Sequence, residues 1–263
     1  MFQSHTFEFK KLIQIGVPIL GSQLSYMLMG TTDTIVAGRA SSADLAGLGV
    51  GSAIFNTIWF LIAGVIFAVT PIVAQLYGAK KFNEIGTKLR EVLWIALALG
   101  FAVCTILFFM GNFLFYLPID TSITSISSSY LKALSLGIIF MTIFTTLRCY
   151  SEGMALTRPV FYIAFFGMLL NIPLDIIFVY GYFGVPKLGG VGCGIATTLV
   201  SFLMMLTLII YIFLSKNYSS TKPFSTFTPP SAKTTKEIFK LGTPIGFGIF
   251  IELSMFSGAA LIL

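Results

Sequence analysis

The sequence predicts an all-α integral membrane protein, and three observations carry that prediction. Of 263 residues, 56% are hydrophobic and only 10% are charged, with 27 Phe and a mean hydropathy of +0.94. Soluble domains carry about 25% charged residues, so a water-soluble core is excluded. The apolar runs are of helix length, and no train of short alternating strands suggests a barrel. Polar breaks holding most of the Lys and Arg then divide the apolar sequence into six spans and the opening of a seventh.

The first span runs from about Leu12 to Ala37, preceded by Lys10 and Lys11, with Pro18 expected to kink it and Asp33 near its far end. The second extends from about Leu45 to Tyr77, with Pro71 near its end. A basic stretch (Lys80, Lys81, Lys88, Arg90) leads into the third, about Val92 to Phe115. A Ser/Thr-rich loop with Pro118 and Asp120 precedes the fourth, about Ile126 to Tyr150. The segment Ser151–Pro159 turns into the fifth, about Val160 to Gly181. A Gly-rich stretch, Gly184–Gly194, opens the sixth, which ends near Leu214. Each reaches the roughly 20 residues needed to cross a bilayer.

Of the 16 Lys and Arg, only Arg39, Lys132 and Lys187 fall toward one side when the N-terminus is placed in the cytoplasm. The other 13 (16 − 3) fall inside, a positive-inside pattern that predicts a cytoplasmic N-terminus. The net charge of +6 is therefore a topology signal, and no nucleic-acid partner is expected. Cys104, Cys149 and Cys193 have no metal-ligand spacing and read as small packing residues, while the lone His5 lies in the polar N-terminal tail.

The domain plan follows from composition and one repeat. Residues 1–214 form a six-helix lobe, and the polar, Pro-containing segment 215–236 reads as a cytoplasmic linker. Residues 237–263 open a second lobe. Gln14-Ile15-Gly16-Val17-Pro18-Ile19 is answered by Lys240-Leu241-Gly242-Thr243-Pro244-Ile245, at an offset of 226 (242 − 16). Six spans return the chain to its starting side, so the copies run parallel about an axis along the membrane normal. The sequence stops at Leu263 inside an apolar run. It is expected to be the first half of a two-lobed protein plus a truncated seventh helix.

Two function classes lack support. The glycine clusters Gly47/Gly49/Gly51 and Gly190/Gly192/Gly194 follow no strand, and no Walker-type phosphate loop occurs. Close helix packing explains them better. No metalloprotease, serine-hydrolase or His-rich signature is present, so an enzyme is not expected and neither is an organic cofactor.

What remains is a set of polar groups inside apolar spans. In Leu169–Gly181 (LLNIPLDIIFVYG), Asn171 and Asp175 are four residues apart and share a helix face, with Pro173 between them disturbing the ladder. A second intramembrane carboxylate is Asp33. Such residues are expensive in hydrocarbon and normally face a bundle interior or watery cavity. Helices one and five run outward and helix six inward, which puts Asp33, Asn171, Asp175 and Thr197 at similar depth, within about 10 Å of the outer boundary. They are expected to share one site. Arg148 and Glu152, one turn apart, are expected to form an interfacial ion pair that fixes the following loop.

The segments TDTIVAG (Thr32–Gly38), PIVAQLYGA (Pro71–Ala79), EGMALTRP (Glu152–Pro159), LLNIPLDIIFVYG (Leu169–Gly181) and LGGVGCGIAT (Leu188–Thr197) resemble the multidrug and toxic compound extrusion family. The resemblance implies half of a two-lobed, parallel-repeat transporter of the inner membrane that needs its second lobe for function. It implies export of small amphipathic cationic drugs in exchange for Na⁺ or H⁺. It further implies that Asp33 is the main coupling group, with Asn171, Asp175 and Thr197 completing a site for Na⁺ or a proton relay. Pro18 would act as a hinge, and Glu252 would belong to a second-lobe cation site whose other ligands lie beyond Leu263. The alternatives within and outside this class are a lipid-linked oligosaccharide flippase of the same superfamily and a structural membrane protein whose acids only lock helices.

Overall fold

In a computed structural model the chain is described over residues 2–116, 118 and 120–262, with side chains over 9–10, 12–116, 118 and 120–252. Among the described residues there is no strand. The described residues form eight α-helices in order: α1 (Phe2–Ala40), α2 (Ser42–Phe67), α3 (Val69–Gly78), α4 (Phe82–Phe113), α5 (Thr121–Gly153), α6 (Thr157–Tyr180), α7 (Gly190–Leu214) and α8 (Ala232–Ile262). Six spans long and apolar enough to cross a membrane lie within α1 to α7, with α2 and α3 together forming one of them.

The break in that second span, at Ala68, was not expected. Its cause is Pro71, whose ring crowds the carbonyl four residues back, at Phe67, and whose missing N–H removes the matching hydrogen bond. Pro18 does not break α1 in the same way, and α1 runs on through it. Beside it, the Ser22 hydroxyl donates to the Pro18 carbonyl at 2.9 Å and Ser25 to the Gly21 carbonyl at 2.8 Å, bonds that loosen a helix locally.

Helix starts follow local chemistry. Ser41 caps α2 by accepting from the Asp44 backbone N–H. Asp120 caps α5, accepting from the Ser122 N–H at 2.8 Å and hydroxyl at 2.6 Å, and these bonds hold its carboxyl below the usual range.

α5 is the central post, packed against α2, α3, α4 and α7. α1 packs on α6, α6 on α7, and α1 on α2, so α1, α6, α7, α5 and α2 close a ring. Lipid gives little hydrophobic drive between helices, and small residues set how closely they approach. A methyl group on Gly192 of α7 would lie 2.7 Å from the Phe178 carbonyl carbon of α6, so only glycine permits that contact. On the outer faces, Leu20, Phe101, Phe109, Phe166 and Phe213 are exposed, as lipid-facing residues should be.

The segment expected as a plain linker is built into the fold, and α8 begins at Ala232, before the expected boundary at 237. Tyr218 is buried and donates to the Ser151 hydroxyl at 3.0 Å; burial pushes its phenol up to about 12. Arg90 holds the Thr228 hydroxyl and the Lys222 carbonyl, each at 2.9 Å. Lys88 bridges to Glu237 at 2.5 Å and to Thr234 at 2.7 Å, and Thr234 also bonds Glu91. α8 then packs on α2 and α4, crossing α2 closely at Gly64 and Gly246.

Candidate cation site

Inside the triangle of α1, α6 and α7, four polar side chains meet. Asp33 (7% exposed) comes from α1, and Asn171 and Asp175, both fully buried, come from α6. Thr197 comes from α7. Its hydroxyl donates to Asp33 Oδ2 at 3.1 Å. With its nitrogen facing the two acids, the Asn171 amide donates to Asp175 Oδ2 at 3.1 Å and to Asp33 Oδ1 at 3.3 Å. That orientation follows from the network, since the opposite one sets oxygen against oxygen.

The α-helical period explains the assembly. Asn171 and Asp175 stack one turn apart on the buried face of α6, and Gly192 brings α7 close enough for Thr197 to reach across. The Tyr180 hydroxyl donates to the Val36 carbonyl at 3.3 Å, fastening the far end of α6 to α1. Across the same end, the Asp44 carboxylate accepts from the Gly190 N–H at 2.6 Å and so satisfies the N-terminus of α7.

Carboxylate oxygens of Asp33 and Asp175 and the Cys193 sulfur all lie within 4.8 Å of one another. Cys193, read from sequence as a packing residue, is fully buried, and its thiol donates to the Asp33 carbonyl at 3.6 Å. No Lys, Arg or His among the described residues bonds or ion-pairs with either acid. Two like charges this close and shielded from water repel strongly, and a bound cation or a shared proton removes the repulsion.

Asp33 also lines a cavity of about 570 Å³ between α1, α2 and α5, walled by Met27, Met29, Phe55, Tyr130, Asn56 and Thr197 among others. A second cavity of about 680 Å³ shares Tyr26, Met27, Gly30 and Asn56 with the first. It runs on to Trp59, Phe67, Phe144 and Arg148, with Ile249 of α8 on one side. Sequence reasoning missed Tyr130 and Asn56, since a single tyrosine or asparagine in a long apolar run does not reveal its facing.

The expected Arg148–Glu152 pair forms, at 2.9 Å, and it is buried inside the bundle. Its side chains are 11% and 10% exposed, and the guanidinium lies 5.3 Å from the Tyr26 ring and 5.9 Å from that of Phe67. Through those two rings it tethers α1 and α2 to α5. Glu252 stands exposed on α8 and is not among the groups gathered at Asp33.

Fold and site together define a multi-pass α-helical membrane protein with a carboxylate pair buried inside its bundle. The sequence model of the MatE family matches residues 18–177, and the chain belongs to that family. It is 35% identical over 255 residues to the multidrug resistance protein NorM of Vibrio cholerae, covering 97% of this chain and 56% of that protein. It is 38% identical over 256 residues to the probable NorM of Haemophilus ducreyi, covering 96% and 55%. Among solved structures, the eukaryotic MATE transporter AtDTX14 matches with a TM-score of 0.84 at 17% identity, over 98% of this chain and 56% of that one. The MATE transporter NorM-NG in complex with rhodamine 6G and a monobody matches with a TM-score of 0.74 at 33% identity, over 91% and 52%. The chain thus spans about half the length of the relatives it matches.

Proposed function

We propose that this chain supplies the cation-coupling lobe of a secondary antiporter. The whole transporter would export amphipathic cationic compounds across the inner membrane in exchange for Na⁺ or H⁺, with the N-terminus in the cytoplasm. The observation that carries the reading is the pair of buried acids, Asp33 and Asp175, held by Asn171 and Thr197 with no basic partner among the described residues. Groups of this kind in a membrane interior mark ion pathways.

The chemistry follows from the donor set. For Na⁺, the carboxylates of Asp33 and Asp175, the hydroxyl of Thr197 and the amide oxygen of Asn171 offer hard oxygen ligands. Asn171 can serve both states by turning its amide. With its nitrogen turned toward the acids it bridges them, and with its oxygen turned inward it would face a bound cation. For H⁺, the same two acids can share one proton. Asp33 is the group through which exchange would be coupled, because it belongs to the cluster and also lines the 570 Å³ cavity. That volume lies in the range of small-molecule sites, and its Met and aromatic walls suit flat apolar bodies. A compound's positive charge and the coupling ion would then compete for one carboxylate. A relative's structure containing rhodamine 6G supports dye-like cations as substrates. Pro18, Ser22 and Ser25 give α1 a point at which it could bend and change access to Asp33.

The test is ion-gradient-driven efflux of rhodamine 6G by the two-lobed protein in proteoliposomes. Asp33→Asn should abolish the coupled flux at normal membrane abundance. Undiminished flux driven by the same gradient would overturn the reading.

A further inference from the structure

At the basic end of the bundle a third cavity, of about 750 Å³, opens between α1, α6 and α7. Its walls include Gln14 and Ile15 of α1, Thr157, Arg158 and Tyr162 of α6, and Tyr211 of α7. It lies at the end of the bundle where the membrane-length stretches Leu12–Ala40 and Thr157–Tyr180 start and Gly190–Leu214 stops. The efflux mechanism makes no use of it. We propose that this cavity binds the headgroup of an anionic phospholipid.

Several independent features point to a phosphate there. The N-cap position of α6 is Leu156, which offers no side-chain acceptor, and Pro159 has no N–H, so the start of this 24-residue helix presents two open N–H groups, those of Thr157 and Arg158. Thr157 is 2% exposed and lines the cavity, and its hydroxyl has no hydrogen-bond partner among the described residues. Its oxygen is not among the fully buried, unpartnered ones, so it opens to the cavity, where it can donate to a phosphate oxygen. Arg158 is exposed and forms no ion pair among the described residues, and no residue lining the cavity is acidic. A guanidinium, a hydroxyl and free backbone N–H groups together make an anion site.

The remaining walls say which phosphate. Ile15, Leu156 and Ile163 are apolar, and Tyr162 and Tyr211 are tyrosines at a helix–membrane boundary. That combination suits the glycerol and upper acyl chains of a lipid and is wasted on free phosphate. The turn feeding α6 helps present the site, since Ala155, which also lines it, is held at φ +61. A lipid seated here would touch Gln14 and Ile15, a turn before Pro18, and so link bilayer charge to the set of α1.

The experiment is native mass spectrometry of the purified chain with phosphatidylglycerol or phosphatidylcholine, paired with thermal melts. One phosphatidylglycerol should stay bound per chain and raise the melting temperature, while phosphatidylcholine does neither. Arg158→Gln should weaken retention about five-fold, in line with one surface cation against an anionic lipid, and Arg158→Lys should restore most of it. Thr157→Val should weaken it further, with Asn217→Ala, another polar wall of the cavity, as the second variant should Thr157→Val lower folded yield. Equal retention of the two lipids, or unchanged phosphatidylglycerol binding in Arg158→Gln, overturns the proposal. So does millimolar inorganic phosphate that reproduces the stabilisation and displaces the lipid, which would make this a free-phosphate site.

Discussion

Two buried charge clusters stand in the same bundle, and their difference separates structure from chemistry. Arg148 and Glu152 are matched in sign, 2.9 Å apart on one helix, and sheathed by the rings of Tyr26 and Phe67. Asp33 and Asp175 carry the same sign, come from different helices, and meet each other and the neutral donors Asn171 and Thr197 with no basic partner among the described residues. The first cluster is complete and needs nothing from outside. The second has no such balance, and on the proposed reading a removable cation supplies it. A static membrane protein would gain by replacing one of those acids, whereas an exchanger needs both.

The comparison can be broken most forcefully at Arg148. Removing one member of a buried ion pair strands the other, at a cost of about 3–5 kcal/mol. Arg148→Ala should therefore sharply reduce folded protein, measured as membrane abundance and melting temperature. The double change Arg148→Met with Glu152→Leu should recover most of that loss.

The acid cluster should answer in the opposite sense. Asp175→Asn removes a like-charge contact, so the melting temperature without Na⁺ should hold or rise, while Na⁺ no longer raises it. A fall as large as that of Arg148→Ala would show that Asp175 is a structural group like Glu152.

A smaller effect is expected at Gly192, where a side chain must push α7 away from Phe178. Gly192→Ala should lower cation affinity more than it lowers abundance, because moving α7 also moves Thr197, which reaches from α7 to Asp33 of α1. Titrating Na⁺-dependent stabilisation separates the two effects. The smallest change belongs to Thr197→Val, which deletes one hydroxyl. Hydrogen bonds between membrane helices are worth about 1 kcal/mol, so cation affinity should fall about five-fold with the fold intact.

Much of this was legible in the sequence, and for physical reasons. Hydrocarbon tolerates so few polar groups that Asp33, Asn171 and Asp175 stand out against their apolar spans. The spans themselves follow from length and hydropathy. Other features depend on which way a helix is turned, and a span that is apolar all round gives no sign of that. Tyr130, Asn56 and Cys193 were invisible for this reason. The burial of Arg148 was missed because its distance from a helix end suggests solvent, and nothing local reports the rings of Tyr26 and Phe67 above it. The break at Ala68 was readable in principle, since Pro71 sits four residues after Phe67. The ordered course of 215–231 was not, because its partners Arg90, Tyr150 and Ser151 lie far away in sequence.

The central claim is that Asp33 and Asp175 together hold one exchangeable cation. The most direct measurement is equilibrium binding of radioactive Na⁺ to the purified protein, with proton release recorded in the same sample. The account predicts one Na⁺ bound per chain at the cluster or, for a proton-coupled protein, one proton released as rhodamine 6G binds. In either case the event disappears in Asp33→Asn and in Asp175→Asn while the protein stays folded. A double Asn variant that binds Na⁺ and releases protons as the unaltered protein does would contradict it.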